Sequence, residues 1–372
     1  MAGIYIHIPF CKQACHYCNF HFSTSLRYKN ELITALLKEM KLQRDYFVNE
    51  RVETVYIGGG TPSLCSADEI SRILENVFSN YDVVPGAEIT IEANPDDITE
   101  ENLGAWKNTG INRLSIGIQS FYNDELQWMN RAHTAEVAID SLVLATRDFN
   151  NISVDLIYGL PFSNNEKWKH NVDRAISFGI PHLSCYALTV EPKTPLHKLI
   201  QLKKAEDVNG DHQSEQFLLL MQWLAEAGYE HYEISNFAKP GFRSVHNSSY
   251  WQQKKYLGFG PSAHSFDGNA RWWNIANNNT YIQSINNGRS AFEKEVLTPV
   301  QKLNEYIMTS LRTMEGLDLS VLNAASSLEL RAASKKYIEN GLIKMEDNFI
   351  KLTNEGKLLA DGIAADLFFT QK

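Results

Sequence analysis

The chain has 372 residues, room for about two domains around a sizeable core. Its 44% hydrophobic and 21% charged residues exclude a fibrous, disordered or peptide-scale protein. The 35 Lys and Arg against 44 Asp and Glu give a net charge of −9, which repels a phosphate backbone and argues against nucleic acid as the main partner.

An apolar, β-rich run at 4–8 opens the chain, followed by a helical stretch over about 26–47, a strand at 54–57 that ends in glycines, and a helix from Ser66. Further strands are expected at 88–92, 113–118, 153–157 and 182–188, separated by helices at 100–107, 135–147 and 166–178. Six βα units in a row argue for a parallel sheet covered by helices, with ligands at the carboxyl ends of the strands. A helix at 211–227 then leads into a Gly- and aromatic-rich segment with few helix signals over 237–274. From about Thr298 the pattern reads as helices, a small β-ribbon at 342–352 and a last helix. The expected domains are therefore 1–235, an aromatic-rich segment 236–297 and a small α/β domain 298–372 of winged-helix type. The opening residues lack the charged and apolar segments of a signal peptide, so none is expected. The longest apolar stretch, 217–225, is far short of the ~20 residues that span a bilayer, so membrane contact is expected to be peripheral at most.

Three of the five cysteines, Cys11, Cys15 and Cys18, fall on one loop directly after the first strand. This is too local for a secreted disulfide framework and points to a reducing cytoplasm. Three thiolates with no fourth cysteine nearby suit a [4Fe-4S] cluster with one iron left open to an outside ligand. A structural zinc site completed by His7, His16 or His21 is the competing reading, because closed zinc sites also use short loops. Cys65 and Cys185 lie elsewhere and read as small core residues.

The spacing Cys11-x3-Cys15-x-Tyr17-Cys18, with Gly58-Gly59-Gly60-Thr61-Pro62 closing the second strand, resembles the radical S-adenosylmethionine (SAM) superfamily. The runs Tyr5-Ile-His-Ile-Pro-Phe-Cys11, Ile118-Gln-Ser-Phe121 and Asp155-Leu-Ile-Tyr-Gly-Leu-Pro161 are similar to its oxygen-independent coproporphyrinogen oxidase group. The resemblance implies a partial parallel (β/α)6 barrel, a cluster on the three cysteines and S-adenosylmethionine beside it, reduced by an external electron donor. By the same resemblance, Tyr5, Tyr17, Gly59, Gly60, Thr61, Glu92, Gln119, Arg131 and Asp155 occupy cofactor positions. Their chemistry suits the role: glycines admit backbone to the methionyl amine, Glu92 can accept from ribose hydroxyls, and Arg131 can pair with a carboxylate.

Two departures separate the chain from the oxidases of that group. Phe20 stands where they carry a further cysteine, and the chain starts almost at the first strand. The pattern is instead similar to the heme chaperones of the superfamily, marked by His-Asn-x-x-Tyr-Trp, present as His246, Asn247, Tyr250 and Trp251. Eight aromatic residues fall within 242–273, over twice the 11% of the whole chain. With His246 or His264 as axial donors and Arg243, Lys254, Lys255 and Arg271 for propionates, the segment has the ingredients of a heme site. The resemblance thus implies heme binding by His246, Asn247, Tyr250 and Trp251, and transfer to apo-heme proteins of the respiratory chain. A cytoplasmic location, with docking at the inner face of the membrane and a homodimer as open associations, completes the expectation. The rival is radical decarboxylation of coproporphyrinogen III, and a lesser one is RNA or peptide modification.

Overall fold

The computed structural model describes residues 2–47 and 50–370. Six strands run parallel and side by side in chain order: β1 (Ala2–Ile8), β2 (Val52–Gly59), β3 (Val83–Ala93), β4 (Arg113–Gln119), β5 (Ile152–Tyr158) and β6 (His182–Ala187). Helices α1 (Lys29–Leu42), α2 (Ala67–Asn80), α3 (Glu100–Asn108), α4 (Asn123–Trp128), α5 (Ala135–Asp148) and α6 (Asn165–Ser177) fill the crossovers between them. Local chemistry sets their ends. Ser66 and Glu69 form a capping box on α2, and Thr99, Thr134 and Asn164 cap α3, α5 and α6. The helix read over 26–47 is shorter than the periodicity suggests, stopping at Leu42.

Side chains alternate along each strand, as a pleated backbone requires. Ile4, Ile6, Ile8, Val55, Ile57, Ile91, Leu114, Ile116, Val154, Leu156 and Leu183 join the helices in one continuous core. The intervening residues, among them Tyr56, Glu92, Arg113, Ser115, Ser153, Asp155 and Ser184, line an internal cavity, so the inner face is polar. A sheet that spends its concave face on buried polar groups instead of on packing is built around a ligand.

The chain continues through α7 (Pro195–Gln201) and α8 (Gly210–Glu226) to β7 (Glu230–Glu233) and β8 (Asn236–Ala238), which extend the sheet antiparallel beyond β6. After α9 (Val245–Trp251), strand β9 (Lys255–Phe259) pairs parallel with β1. Strands β10 (His264–Phe266) and β11 (Ala270–Asn274), then α10 (Asn278–Asn286) and β12 (Phe292–Val296), carry that edge onward. The aromatic segment, expected to hold few helices, is therefore sheet with α9 inserted. The twelve strands end at β12 and β7, which do not pair with each other, so the barrel is open.

The remaining residues form α11 (Pro299–Leu311), β13 (Leu317–Asp318), α12 (Ala324–Glu339), β14 (Ile343–Glu346), β15 (Phe349–Leu352), α13 (Asn354–Lys357) and α14 (Ala360–Asp366). Their small antiparallel sheet packs on its own core, including Ile307, Leu311, Leu330, Ile350 and Ile363. Backbone bonds from Ile234 to Arg312 (3.0 Å) and from Met314 to Tyr232 (3.0 Å) fasten this unit to the β7 edge. Among the described residues, no helix is long and apolar enough to cross a membrane.

Candidate functional site

The loop carrying Cys11, Cys15 and Cys18 is tied down on every side. Cys11 N–H donates to Ser23 O (3.0 Å), His16 N–H to Met129 O (3.1 Å), and Leu196 N–H to His16 O (2.8 Å). Asn130 Nδ2 reaches Ala14 O (2.7 Å), Gln13 Nε2 reaches Asn130 Oδ1 (2.6 Å), and Lys12 pairs with Asp96 (2.7 Å) and Asp97. The three thiols are thus positioned by groups from four other stretches of chain.

They line one side of a cavity of about 440 Å³ at the carboxyl ends of the strands. Its walls include Tyr17, Gly59, Gly60, Thr61, Glu92, Gln119, Arg131 and Asp155, which places eight of the nine expected cofactor residues around one space. Tyr5 is the exception. It lies on the inner face of β1 below the cavity, where its hydroxyl meets His7 Nδ1 (3.0 Å). Asn94, Gly117 and Tyr186 also line the cavity without having been picked out by sequence as ligand-facing. Their only signal is position at a strand's end.

Two glycines owe their identity to close approach. Gly59 has φ +113° and a Cβ there would lie 2.6 Å from His7 Nδ1, while one on Gly60 would lie 2.6 Å from Phe10 O. Gly59 N–H donates to Glu92 Oε2 (2.9 Å), and the Tyr56 hydroxyl donates to Glu92 Oε1 (2.8 Å). Burial nevertheless pushes the Glu92 carboxyl up to about 7, with the Tyr56 bond opposing and Asp155 adding to the rise. Burial likewise raises Asp155 to about 6, against Ser184 and the charges of Arg113 and Arg131.

Arg131 spans the site. Its guanidinium donates to Cys15 Sγ (3.4 Å), Asn94 Oδ1 (2.9 Å) and Gly117 O (2.8 Å), and its buried Nε has no partner. Burial raises Cys11 to about 11 and Cys18 above the usual thiol value; thiolates here need a bound cation to persist. Among the described residues, no three His, Cys, Asp or Glu side chains converge as a single ion requires. Three thiols on one wall of a roomy cavity that also presents Glu92, Arg131 and Asp155 fit a larger group such as a cluster with an elongated ligand against it.

The amino ends of the strands are closed by α9. Glu88 on β3 accepts from the backbone N–H groups of Val245 (2.9 Å) and His246 (2.8 Å), capping the helix from below. The His246 ring is 1% exposed, lies nearly parallel to Tyr56 at 4.9 Å, and bonds Thr54 Oγ1 (2.8 Å) and the Tyr250 hydroxyl (2.8 Å) through its two nitrogens. Burial lowers its pKa to about 3. Asn247 lines a small internal cavity of about 60 Å³ beneath Glu92 and Asp155, and Trp251 lies under the Arg312 guanidinium. The His-Asn-x-x-Tyr-Trp group expected to contact heme is therefore placed here as an interior plug with both imidazole nitrogens engaged. The reason is nonlocal: Thr54, Tyr56 and Glu88 supply the partners.

Residues 5–175 match the Radical SAM superfamily and residues 297–359 the HemN C-terminal domain. The heme chaperone HemW of Bacillus subtilis is 32% identical over 373 residues, covering 98% of both chains. That of Lactococcus lactis is 34% identical over 319 residues, covering 84% of this chain and 82% of its own. Among solved structures, coproporphyrinogen III oxidase (HemN) from Escherichia coli superposes with a TM-score of 0.86 at 24% identity, covering 99% of this chain and 90% of its own.

Proposed function

Because the chain belongs to the heme chaperone HemW family within the radical SAM superfamily, we propose that it binds heme and hands it to apo-heme proteins, using a cluster- and S-adenosylmethionine-binding barrel as its chassis. The observation that carries this reading is the match along almost the whole length of both chains to the Bacillus subtilis chaperone. Phe20 supports it. The side chain is 69% exposed on the cavity wall, at the position where the resembling oxidases have a further cysteine. The superposition with HemN speaks to the fold alone.

Cys11, Cys15 and Cys18 would hold the cluster, which supplies an open iron and an electron when loaded. The strand ends would hold S-adenosylmethionine. Gly59 and Gly60 give it room against the backbone, Arg131 offers a guanidinium to a carboxylate, and Glu92 offers its remaining lone pairs to hydroxyl donors. Those lone pairs count fully only when Glu92 is ionised. With its pKa near 7, S-adenosylmethionine affinity is expected to rise from pH 6 to pH 8, by about fivefold to tenfold. Glu92→Gln should bind weakly with no such rise. Calorimetry across that range checks it, and a pH-independent wild-type affinity would sink the assigned role of Glu92.

The chaperone reading is tested by titrating the anaerobically purified protein with hemin and then adding an apo-heme protein. Saturable Soret absorbance that passes to the acceptor is expected, with no turnover of coproporphyrinogen III. Decarboxylation of that substrate, or no hemin binding, would replace this reading with the oxidase or discard it.

A further inference from the structure

Two donors fix the Glu92 carboxylate, the Tyr56 hydroxyl and Gly59 N–H. A phenol can hold a carboxylate in one orientation only if its own ring is held. Tyr56 lies on β2, with β1 and β3 as the neighbouring strands. Its register partner on β1 is Tyr5, whose ring is near-parallel to it at 6.2 Å and 27°. Toward the carboxyl end of the strand the space is already taken. A Cβ on Gly58 would lie 2.8 Å from Tyr56 Cε1 and 3.0 Å from Glu92 Cδ, so the glycine there admits the ring and the carboxyl together.

His246 meets the Tyr56 ring at 4.9 Å and 24°. That imidazole has almost no freedom of its own. It is buried, its backbone N–H donates to Glu88 Oε1 (2.8 Å), and its ring nitrogens are bound to Thr54 Oγ1 (2.8 Å) and the Tyr250 hydroxyl (2.8 Å). Thr54 and Glu88 are register partners on β2 and β3. Thr54 stands two residues before Tyr56, and Glu88 four before Glu92, on the same strand faces. One plug therefore grips both strands just below the Tyr56–Glu92 bond. Asn247, the next residue of the motif, lines the lower chamber together with Tyr56 and Glu92.

The geometry points to His246 as a positioning residue for cofactor binding: stacked on Tyr56, it holds the phenol against Glu92, which then presents a carboxylate of fixed orientation to the ribose hydroxyls of S-adenosylmethionine. This rests on the S-adenosylmethionine reading above and gives the His-Asn-x-x-Tyr-Trp group a role in that site, separate from any contact with heme.

The Tyr56 bond favours the charged form of Glu92, whereas burial and Asp155 disfavour it. Losing the bond therefore moves the Glu92 titration to higher pH. The other groups facing Glu92 are Arg113 on β4, Asp155 on β5 and Tyr186 on β6 around the lower chamber, and Arg131 in the upper cavity. Tyr5 on β1 and Tyr250 on α9 complete the set.

The test follows the Glu92 carboxyl by infrared difference spectroscopy between each protein and its Glu92→Gln counterpart, from about pH 5 to about pH 9. It uses the full chain reconstituted anaerobically, first without S-adenosylmethionine and then with it, its affinity being read by calorimetry. Tyr56→Phe is expected to raise the Glu92 midpoint by about one pH unit, the worth of one hydrogen bond to a charged group. His246→Asn keeps an amide for Thr54 but removes the ring. It should raise the midpoint by about half as much or more, and weaken S-adenosylmethionine binding near pH 7 by about threefold to tenfold. Added to Tyr56→Phe, it should move the midpoint no further, a non-additivity that a merely structural role would not produce. Should His246→Asn lack a native circular dichroism spectrum, Thr54→Val, which frees one imidazole nitrogen, is expected to shift the midpoint the same way. An unshifted midpoint in Tyr56→Phe or in the folded variant of the plug, or shifts that add in full, would overturn the inference. No S-adenosylmethionine binding by the unsubstituted protein would remove the cofactor reading, while the infrared midpoints would still decide the link from His246 to Glu92.

Discussion

Cys15→Ser is expected to leave a folded protein that retains no iron or sulfide after anaerobic reconstitution and loses the visible absorbance of a cluster. With only Cys11, Cys15 and Cys18 along that wall, removing one thiol leaves two ligands. The remaining cysteines cannot substitute, because Cys65 and Cys185 are buried in the core, 5% and 1% exposed. The fold should survive because the loop is held by backbone bonds and by Asn130, Gln13 and Lys12, none of which uses the thiols. Cys65→Ser is the control and should keep full iron and sulfide. Unchanged iron and sulfide in Cys15→Ser, or one zinc per chain without sulfide in the wild type, would refute the cluster assignment.

The largest effect on stability is expected at Glu39, in the middle of α1. This carboxylate is fully buried and accepts from Gly260 N–H (2.9 Å), Asn274 Nδ2 (2.8 Å), the Tyr281 hydroxyl (2.6 Å) and Gln43 Nε2 (3.2 Å). Three of these donors come from the stretch after β9, from β11 and from α10, so one side chain pins the sheet extension to the first crossover helix. Glu39→Ala leaves several buried donors unpaired and should cost about 3–5 kcal/mol, with faster amide exchange over residues 255–286. A loss within experimental error of zero would show that the extension is held by packing alone.

The pH dependence at Glu39 has a definite sign. Burial raises its carboxyl to about 7, with Tyr281, Gly260 and Asn274 opposing. Between the ordinary carboxyl value and 7, the folded chain keeps a proton that the unfolded chain has released. Its contribution is thus complete at low pH and lost as pH rises through about 7, a swing of about 3 kcal/mol. Glu39→Gln should lack that swing. The stability gap should move in favour of the wild type as pH falls from 8 to 5, measured by denaturant midpoints. A gap that stays constant would refute the raised value.

The parts of the site that sequence reveals are those written locally. Three cysteines on one loop, glycines closing a strand and polar residues at strand ends each follow from a few consecutive positions, and the structure gathers eight of the nine cofactor candidates around one cavity. What sequence could not disclose depends on partners far along the chain. The motif marks His246 as a heme contact, while its enclosure by Thr54 and Glu88, more than 150 positions earlier, is not written near it in the chain. Glu39 reads as one polar residue in a helix, since three of its four donors are over 200 positions away. Strands β9 to β11 are short and rich in glycine and aromatics, so their alternation is too brief to register.

The floor formed by α9 lies under two stacked spaces that share part of their walls. The small chamber shares Glu92, Ser115, Asp155 and Tyr186 with the wide cavity above it and has Ser244 and Asn247 at its base. Filling the upper space would cover Glu92, Ser115, Asp155 and Tyr186 on the side that both spaces share, so the state of the lower chamber is tied to what occupies the upper one.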